Sequence, residues 1–371
     1  MVLTGTGAHG AYHAGALRAL QEAGVKIDLV AGHGIGAGGA ALAAIDGSVR
    51  LWDKQGVWRG SGARSMYGRR WSLRGTGSRR MSGRWWWRIA GAPLDARAAS
   101  ERFADALWVL IRGAAPLARP GRAALGRRFS EVLVENLGQP GFRELLLVAT
   151  DLDARRDMVA ALLSEPYRQD FLAPRVGVDR RSEVLDLIGV GRDHALDMIA
   201  AGLTPPLVSD PHQMTFASDS FWRGETHRVC DRPGALQRLL EEVAAAGVRQ
   251  VIIVTGISPT AAPHRLRAAR LDVRGRYGEF QTAAEAVALR DAIEATRIYF
   301  DSIYVVQPAH NAIGPYDLRG AYDDASDRHQ HVSELLERAY EDTYRQFIEP
   351  VVGASGEMLA RHRLSPDAHA I

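Results

Sequence analysis

One cysteine, Cys230, occurs in the 371 residues, which excludes an internal disulfide and any cysteine-built zinc cluster. No apolar run reaches the roughly eighteen residues needed to cross a bilayer, so no transmembrane helix is predicted. No basic-then-apolar leader stands before the first apolar strand, and the expected compartment is the cytoplasm, with peripheral membrane contact open. Acidic residues are absent from Lys54 to Leu94, although the formal net charge of the whole chain is only +3. Lysine is nearly absent as well. Almost every positive charge is arginine, here and elsewhere in the chain, which weakens arginine content alone as an argument for phosphate binding. What the chain does have is apolar material: 46% hydrophobic residues, enough for one large α/β core or a core with a substantial insertion.

The first fifty residues carry the clearest pattern. Val2-Leu3 opens an apolar strand that runs into Gly5-Thr6-Gly7-Ala8-His9-Gly10. Tyr12, Ala16, Leu17 and Leu20 then recur at helical spacing, and Gly24 is a natural stop. Ile27 to Ala31 reads as a short buried strand. A second glycine turn, Gly32 to Gly39, leads to an alanine-rich helix from Ala40 to Ile45. Two strand–glycine turn–helix units this close together predict a mostly parallel α/β sheet, with backbone N–H groups at the turns facing a shared crevice.

Two chemistries use such turns. Gly5, Gly7 and Gly10 satisfy the G-x-G-x-x-G spacing of dinucleotide sites, but the acidic residue that would hold a ribose is missing from the far end of the second strand. Asp28 is the only candidate, and it stands at the near end, so no cofactor is predicted. The other chemistry is acyl transfer, with one turn as oxyanion hole and the other as nucleophile elbow; the spacing of Gly32 and Gly36 suits the elbow.

With these motifs the chain resembles the patatin-like phospholipases. Their oxyanion loop, Gly-Gly-Gly-x-Arg-Gly, is similar to residues 5–10, and their Gly-x-Ser-x-Gly elbow to Gly32-His33-Gly34-Ile35-Gly36. Val148-Ala149-Thr150-Asp151-Leu152 and Thr204-Pro205-Pro206-Leu207-Val208 resemble two later family segments. Ala217-Ser218-Asp219-Ser220 stands where the resemblance places the aspartate of a Ser–Asp dyad, which implies Asp219 as its counterpart. The resemblance implies a three-layer fold, a central mostly parallel sheet flanked by helices, over residues 1–350. It also implies a lipid or acyl ligand.

The departures from the family pattern fall at the chemistry. Gly34 replaces the serine, His9 the arginine, and Ser220-Phe221 the glycines after the aspartate. Loss of a catalytic serine leaves only the roughly 10³–10⁴-fold help of oxyanion hole and binding, so the expectation is a non-hydrolytic, lipid- or membrane-binding scaffold. The alternative is an active lipid esterase with another nucleophile, such as Ser218, or with a metal-activated water. For the latter, His9 and His13 share a helix face and the resemblance brings His33 beside them, a set that could hold zinc, although satisfied polar groups explain the same residues. A closed crevice plugged by His33 and Phe221 would indicate a pure interaction protein; an open apolar pocket beside Gly34 would indicate ligand binding.

The acid-free stretch interleaves arginines from Arg59 to Arg88 with Trp58, Tyr67, Trp71 and Trp85-Trp86-Trp87, within a basic insertion at about 54–130. Guanidinium pairs with lipid phosphate and indole settles at headgroup depth, so an anionic membrane surface is the predicted partner. Nucleic acid is the rival, but no nucleic-acid fold accompanies the patch. A basic loop whose tryptophans cap the core is the plain reading. Further on, Ala99 to Ile111, Asp231 to Ala246, Phe280 to Thr296 and His329 to Val351 read as helices, Gln250–Val254 and Ser302–Pro308 as strands, Ser258 to Arg276 as an irregular connection, and 351–371 as a polar tail.

Overall fold

The structure is a computed structural model that describes residues 1–54, 56–59, 122–173, 182–206, 211–259, 273–323 and 325–353. At its centre lies β1 (Val2–Thr4), with β2 (Leu29–Gly32) and β8 (Gln250–Thr255) parallel on its two sides. Outward from β2 come β3 (Glu144–Asp151), β4 (Arg156–Leu162) and β5 (Ser182–Asp186); outward from β8 comes β9 (Ser302–Val306). Five of these contacts, including the four around β1, β2 and β8, are parallel or continue a parallel run; β4 turns back antiparallel on β3. A hairpin of β6 (His212–Thr215) and β7 (Thr226–Cys230) attaches antiparallel to the end of β3, through Thr150–Cys230 and Asp151–Val229.

Strand alternation divides the side chains between two cores, which makes the three layers. Leu3, Val30, Leu145, Leu147 and Val254 join one core, and Val2, Leu29, Ala31, Leu146, Val251 and Ile253 the other. Strands covered on both faces read as unbroken apolar runs, which is why β1 and β2 were visible in the sequence. The first core is covered by α1 (His9–Glu22), α2 (Ile35–Ala44), the short α3 (Val49–Trp52) and α4 (Arg122–Glu135). The second is covered partly by α5 (Tyr167–Leu172). Then α6 (Ala195–Gly202) returns to the first core, while α7 (Leu236–Ala245) and α8 (Val273–Thr296) pack on the second. After a small β10–β11 hairpin (Ala321–Asp323, Arg328–Gln330), α9 (Val332–Thr343) lies along α1, tied by Tyr12 Oη donating to Asp342 Oδ2 at 2.9 Å.

Several boundaries differ from expectation, each for a local reason. The second glycine turn is shorter than predicted, because α2 starts at Ile35 rather than Ala40. The helix expected from Asp231 starts only at Leu236, since Pro233-Gly234 break the chain first. Residues 273–276, read as irregular, are the first turn of α8. The expected 329–351 helix is a β11 end, then α9, then a π-helical stretch over Tyr344–Gly353 that contains Pro350. Proline has no N–H and crowds the preceding carbonyl, which a wider turn relieves.

The two ends of the basic 54–130 stretch that are described pack into the body. Trp58 is buried against Gly10, Arg59 pairs with Glu337, and Phe129 and Leu133 of α4 sit in the first core. Trp58 therefore caps the core. The predicted 99–111 helix, residues 60–121 and the 354–371 tail lie outside the described residues. No helix among the described residues is long and apolar enough to cross a membrane.

Candidate active site

Only His33 and Gly34 separate β2 from α2, so the chain reverses direction at Gly34, whose φ of +59° and ψ of −140° lie where L side chains are strained. Three backbone bonds hold the turn: His33 N–H to Leu3 O at 3.3 Å, Ile35 N–H to Gly5 O at 2.9 Å and Gly36 N–H to His33 O at 3.0 Å. The middle bond decides what fits. A Cβ on residue 34 would lie 2.2 Å from the Gly5 carbonyl oxygen, far inside van der Waals contact with a backbone atom.

The 5–10 loop is satisfied in the same way. Thr6 N–H meets His9 Nδ1 at 3.3 Å, His9 N–H meets Thr6 O at 3.2 Å, and Gly10 N–H meets Gly7 O at 3.1 Å. Ala8 N–H donates to Pro315 O at 2.8 Å, and a Cβ on Gly7 would lie 1.9 Å from that same oxygen. The 312–316 segment thus lies directly on the loop. In a nucleophile elbow, the oxyanion would be held by the N–H of the residue after the nucleophile together with an N–H of the partner loop. Here the corresponding Ile35 N–H is occupied by the loop's own Gly5 carbonyl.

The acidic residue beside the turn is Asp231. It follows β7, its N–H donates to Thr204 O at 3.1 Å, and its Oδ2 is 3.3 Å from the position of a Cβ on residue 34. Its Oδ1 lies 3.4 Å from His33 Nδ1, while His33 Nε2 lies 2.6 Å from Thr4 Oγ1. All three side chains are buried. Asp219 does not join them: the structure places it, with Ser218, on the exposed turn between β6 and β7. Phe221, on the same turn, is 84% exposed and plugs nothing, so the crevice is closed by His33 and the 312–316 segment instead. In the sequence Asp231 reads as the first residue of the following helix. No local signal marks it: β7 reads Thr-His-Arg-Val-Cys and runs antiparallel to β3, and only that pairing brings Asp231 to the glycine turn, whereas Ala-Ser-Asp-Ser has turn composition.

Around this core sits a second polar shell. Thr6 Oγ1 donates to Glu285 Oε1 at 3.0 Å, Gln281 Nε2 reaches both Thr6 Oγ1 and Glu285 Oε1, and Tyr316 Oη donates to Gln281. Burial raises the Glu285 carboxyl to a pKa of about 7, with repulsion from Asp231 as the next cause. His9 and His13 are buried too. Burial lowers His9 to about 3, helped by the charge of His13. It lowers His13 to about 4 against the favourable contact of Nε2 with Thr4 O at 2.9 Å. His13 lies near both His9 and His33; a backbone N–H meets His9, a carbonyl meets His13, and the Thr4 hydroxyl and Asp231 carboxylate flank His33, while His9 Nε2 and His13 Nδ1 have no hydrogen-bond partner. Among the described residues, no group of three or more His, Cys, Asp or Glu side chains is arranged to hold a metal.

Neither of two clefts among the described residues lies beside Gly34. One, about 1100 Å³, lies at the opposite, amino edge of the strands between Met1, Leu29, Glu144, Gln250, Tyr304 and Phe347; the other, about 310 Å³, lies beyond the end of β3. Asp28 stands at the amino end of β2, paired with Lys26, so it cannot serve a nucleotide at the glycine turns.

A mostly parallel α/β sheet with two glycine turns at its carboxyl edge, and a carboxylate between them, is the scaffold of a lipid acyl-hydrolase. The chain belongs to the patatin-like phospholipase family: that family's model matches residues 1–297. No curated protein matches it. Strand β9 and helix α9, beyond residue 297, complete the sheet edge and cover α1.

Proposed function

We propose that this protein is a non-hydrolytic member of the family, cytoplasmic, which contacts lipid or an acyl ligand at its exterior or at a membrane surface and does not turn esters over in the glycine-turn crevice. The observation that carries this reading is the Gly5 carbonyl. It fills the space of a side chain at residue 34 and also takes the Ile35 N–H that an oxyanion would need. Nucleophile and oxyanion hole are thereby lost together, and these are the two largest contributions to acyl transfer. The test is hydrolysis of a short-chain phospholipid and a p-nitrophenyl ester, in metal-free and zinc-supplemented buffer. The native chain is expected to show no more turnover than Asp231→Asn; turnover that the substitution abolishes would overturn the reading.

The lipid part of the proposal draws on the family and on the Arg- and Trp-rich sequence up to Arg88. Vesicles containing anionic lipid should sediment the native chain at low salt and release it at high salt. A version lacking residues 60–88, which keeps the Arg59–Glu337 pair, should stay in solution. Equal sedimentation of both proteins would remove this segment as the membrane contact.

One observation favours a second reading, that of an active esterase. Thr4 Oγ1, His33 and Asp231 stand in hydroxyl–imidazole–carboxylate order, the sequence of groups that activates a nucleophile. If Thr4 served as that nucleophile, Thr4→Val would abolish turnover and Thr4→Ser would retain it.

A further inference from the structure

The cleft beyond β3 is lined by Thr150, Asp151, Leu152, Asp157 and four arginines, Arg155, Arg156, Arg232 and Arg238. It lies on the carboxyl edge of the sheet, and Arg232 is the neighbour of Asp231. The two carboxylates in its wall are already engaged. Asp151 accepts from the N–H groups of Asp153 and Ala154 at 2.9 Å and lies 2.6 Å from His227 Nδ1. Asp157 accepts from Thr150 Oγ1 at 2.9 Å and pairs with Arg232 at 3.0 Å. Arg238 is 7% exposed, and Glu241 holds its Nη1 at 2.7 Å, with Glu242 farther off at 3.9 Å. Its Nε has no hydrogen-bond partner and is 3.9 Å from Asp157 Oδ2. A buried guanidinium N–H is rarely left unpaired, because its desolvation is not offset. Arg155 adds an exposed charge from the turn after β3, where it adopts a φ of +55°.

We propose that this cleft is an anion site that takes a phosphate group. Guanidiniums approach it from the 155–156 turn, from Arg232 after β7 and from Arg238 in the first turn of α7. An anion with several oxygens can meet forks from all three directions. The source of the phosphate is either a lipid headgroup or a free phosphate; the chemistry is shared. The inference does not rest on loss of hydrolysis, since the cleft shares no lining residue with the glycine turns.

The test uses the full chain. Titration with inorganic phosphate, at ionic strength matched with chloride, should raise the melting temperature in a saturable way. Arg155→Asn, which suits the left-handed backbone, and Arg232→Gln should each weaken phosphate affinity by roughly tenfold. Arg238→Lys keeps the charge but removes the Nε–H, and should weaken it comparably. Because Arg155 is exposed and on a turn, its variant reports on binding even if the Arg238 variant folds poorly. Vesicles of phosphatidylcholine with and without phosphatidic acid separate the sources. Phosphatidic-acid-dependent binding that Arg155→Asn weakens, and that inorganic phosphate displaces, assigns the site to a headgroup. Saturable phosphate binding with vesicle binding indifferent to Arg155→Asn assigns it to free phosphate. No phosphate effect beyond that of chloride, or an effect unchanged in all three variants, overturns the proposal.

Discussion

Gly34→Ser is expected to yield no esterase and to destabilise the fold by roughly 2–5 kcal/mol, the range for a side chain in a sparsely populated backbone region combined with overpacking. A serine at this position would seem the natural repair of a lost nucleophile. Its Cβ, however, would meet the Gly5 oxygen at 2.2 Å, and that oxygen is held in place by the Ile35 N–H at 2.9 Å. The obstacle is backbone, so rotating a side chain cannot remove it. To admit the serine, the Gly5–Thr6 peptide must turn, giving up the Ile35 bond and disturbing Thr6, which also bonds Glu285 and Gln281. Denaturant unfolding and ester hydrolysis, measured on Gly34→Ser with and without Asp231→Asn, check the expectation. Unchanged stability with Asp231-dependent turnover would show that the peptide turns readily and that only the nucleophile is missing.

The second large effect is on pH dependence, and it comes from the buried histidines and Glu285. His9 and His13 titrate in the fold at about 3 and 4, below the ordinary 6.5. From pH 6.5 downward the unfolded chain binds protons that the fold refuses, so stability is complete above 6.5 and lost as pH falls toward 4. For His13 alone this amounts to about 3 kcal/mol. Glu285 acts in the opposite direction. Its folded pKa of about 7 lies above the ordinary 4.5, so its contribution is complete below 4.5 and lost as pH rises through 7. The size is again about 3 kcal/mol, and burial is the main cause of both. With two histidines losing stability below 6.5 against one carboxyl losing it above 4.5, the sum rises through this interval and is expected to be greatest near about pH 6.5. Urea unfolding at pH 4, 6 and 8 measures this directly. Glu285→Gln should gain on the native chain at pH 8 but not at pH 4, and His13→Gln, which keeps an amide donor for Thr4 O, should lose less on acidification. Parallel pH profiles for all three proteins would show that these groups do not titrate differently on folding.

The scaffold was legible in the sequence because its signals are local. Val2-Leu3, Leu29 to Ala31, Gln250–Val254 and Ser302–Val306 are short apolar runs, and each is a strand at the middle of the sheet or toward its β9 edge. The glycine turns were legible too, since backbone with positive φ at Gly5, Gly7 and Gly34 demands glycine and announces itself by composition. The strands of the β3 side were harder. Thr226–Cys230 alternates weakly and sits behind a turn rich in Ser, Asp and Gly, so Asp231, just after it, reads as the start of the following helix.

By itself, then, the amino-acid order determined the α/β class, the placement of two glycine turns at one edge of a parallel sheet, and the absence of a serine at residue 34. These depend on residue type and on spacing within a few turns of chain. Which carboxylate faces Gly34, how His33 is partnered, and whether the crevice is open were decided only in the tertiary structure. Asp231 reaches the turn from 198 residues beyond His33, a separation set by strand pairing and not by any local pattern. The closing of the crevice is less visible still: it is made by the carbonyls of Gly5 and Pro315, and a backbone oxygen carries no sequence signature.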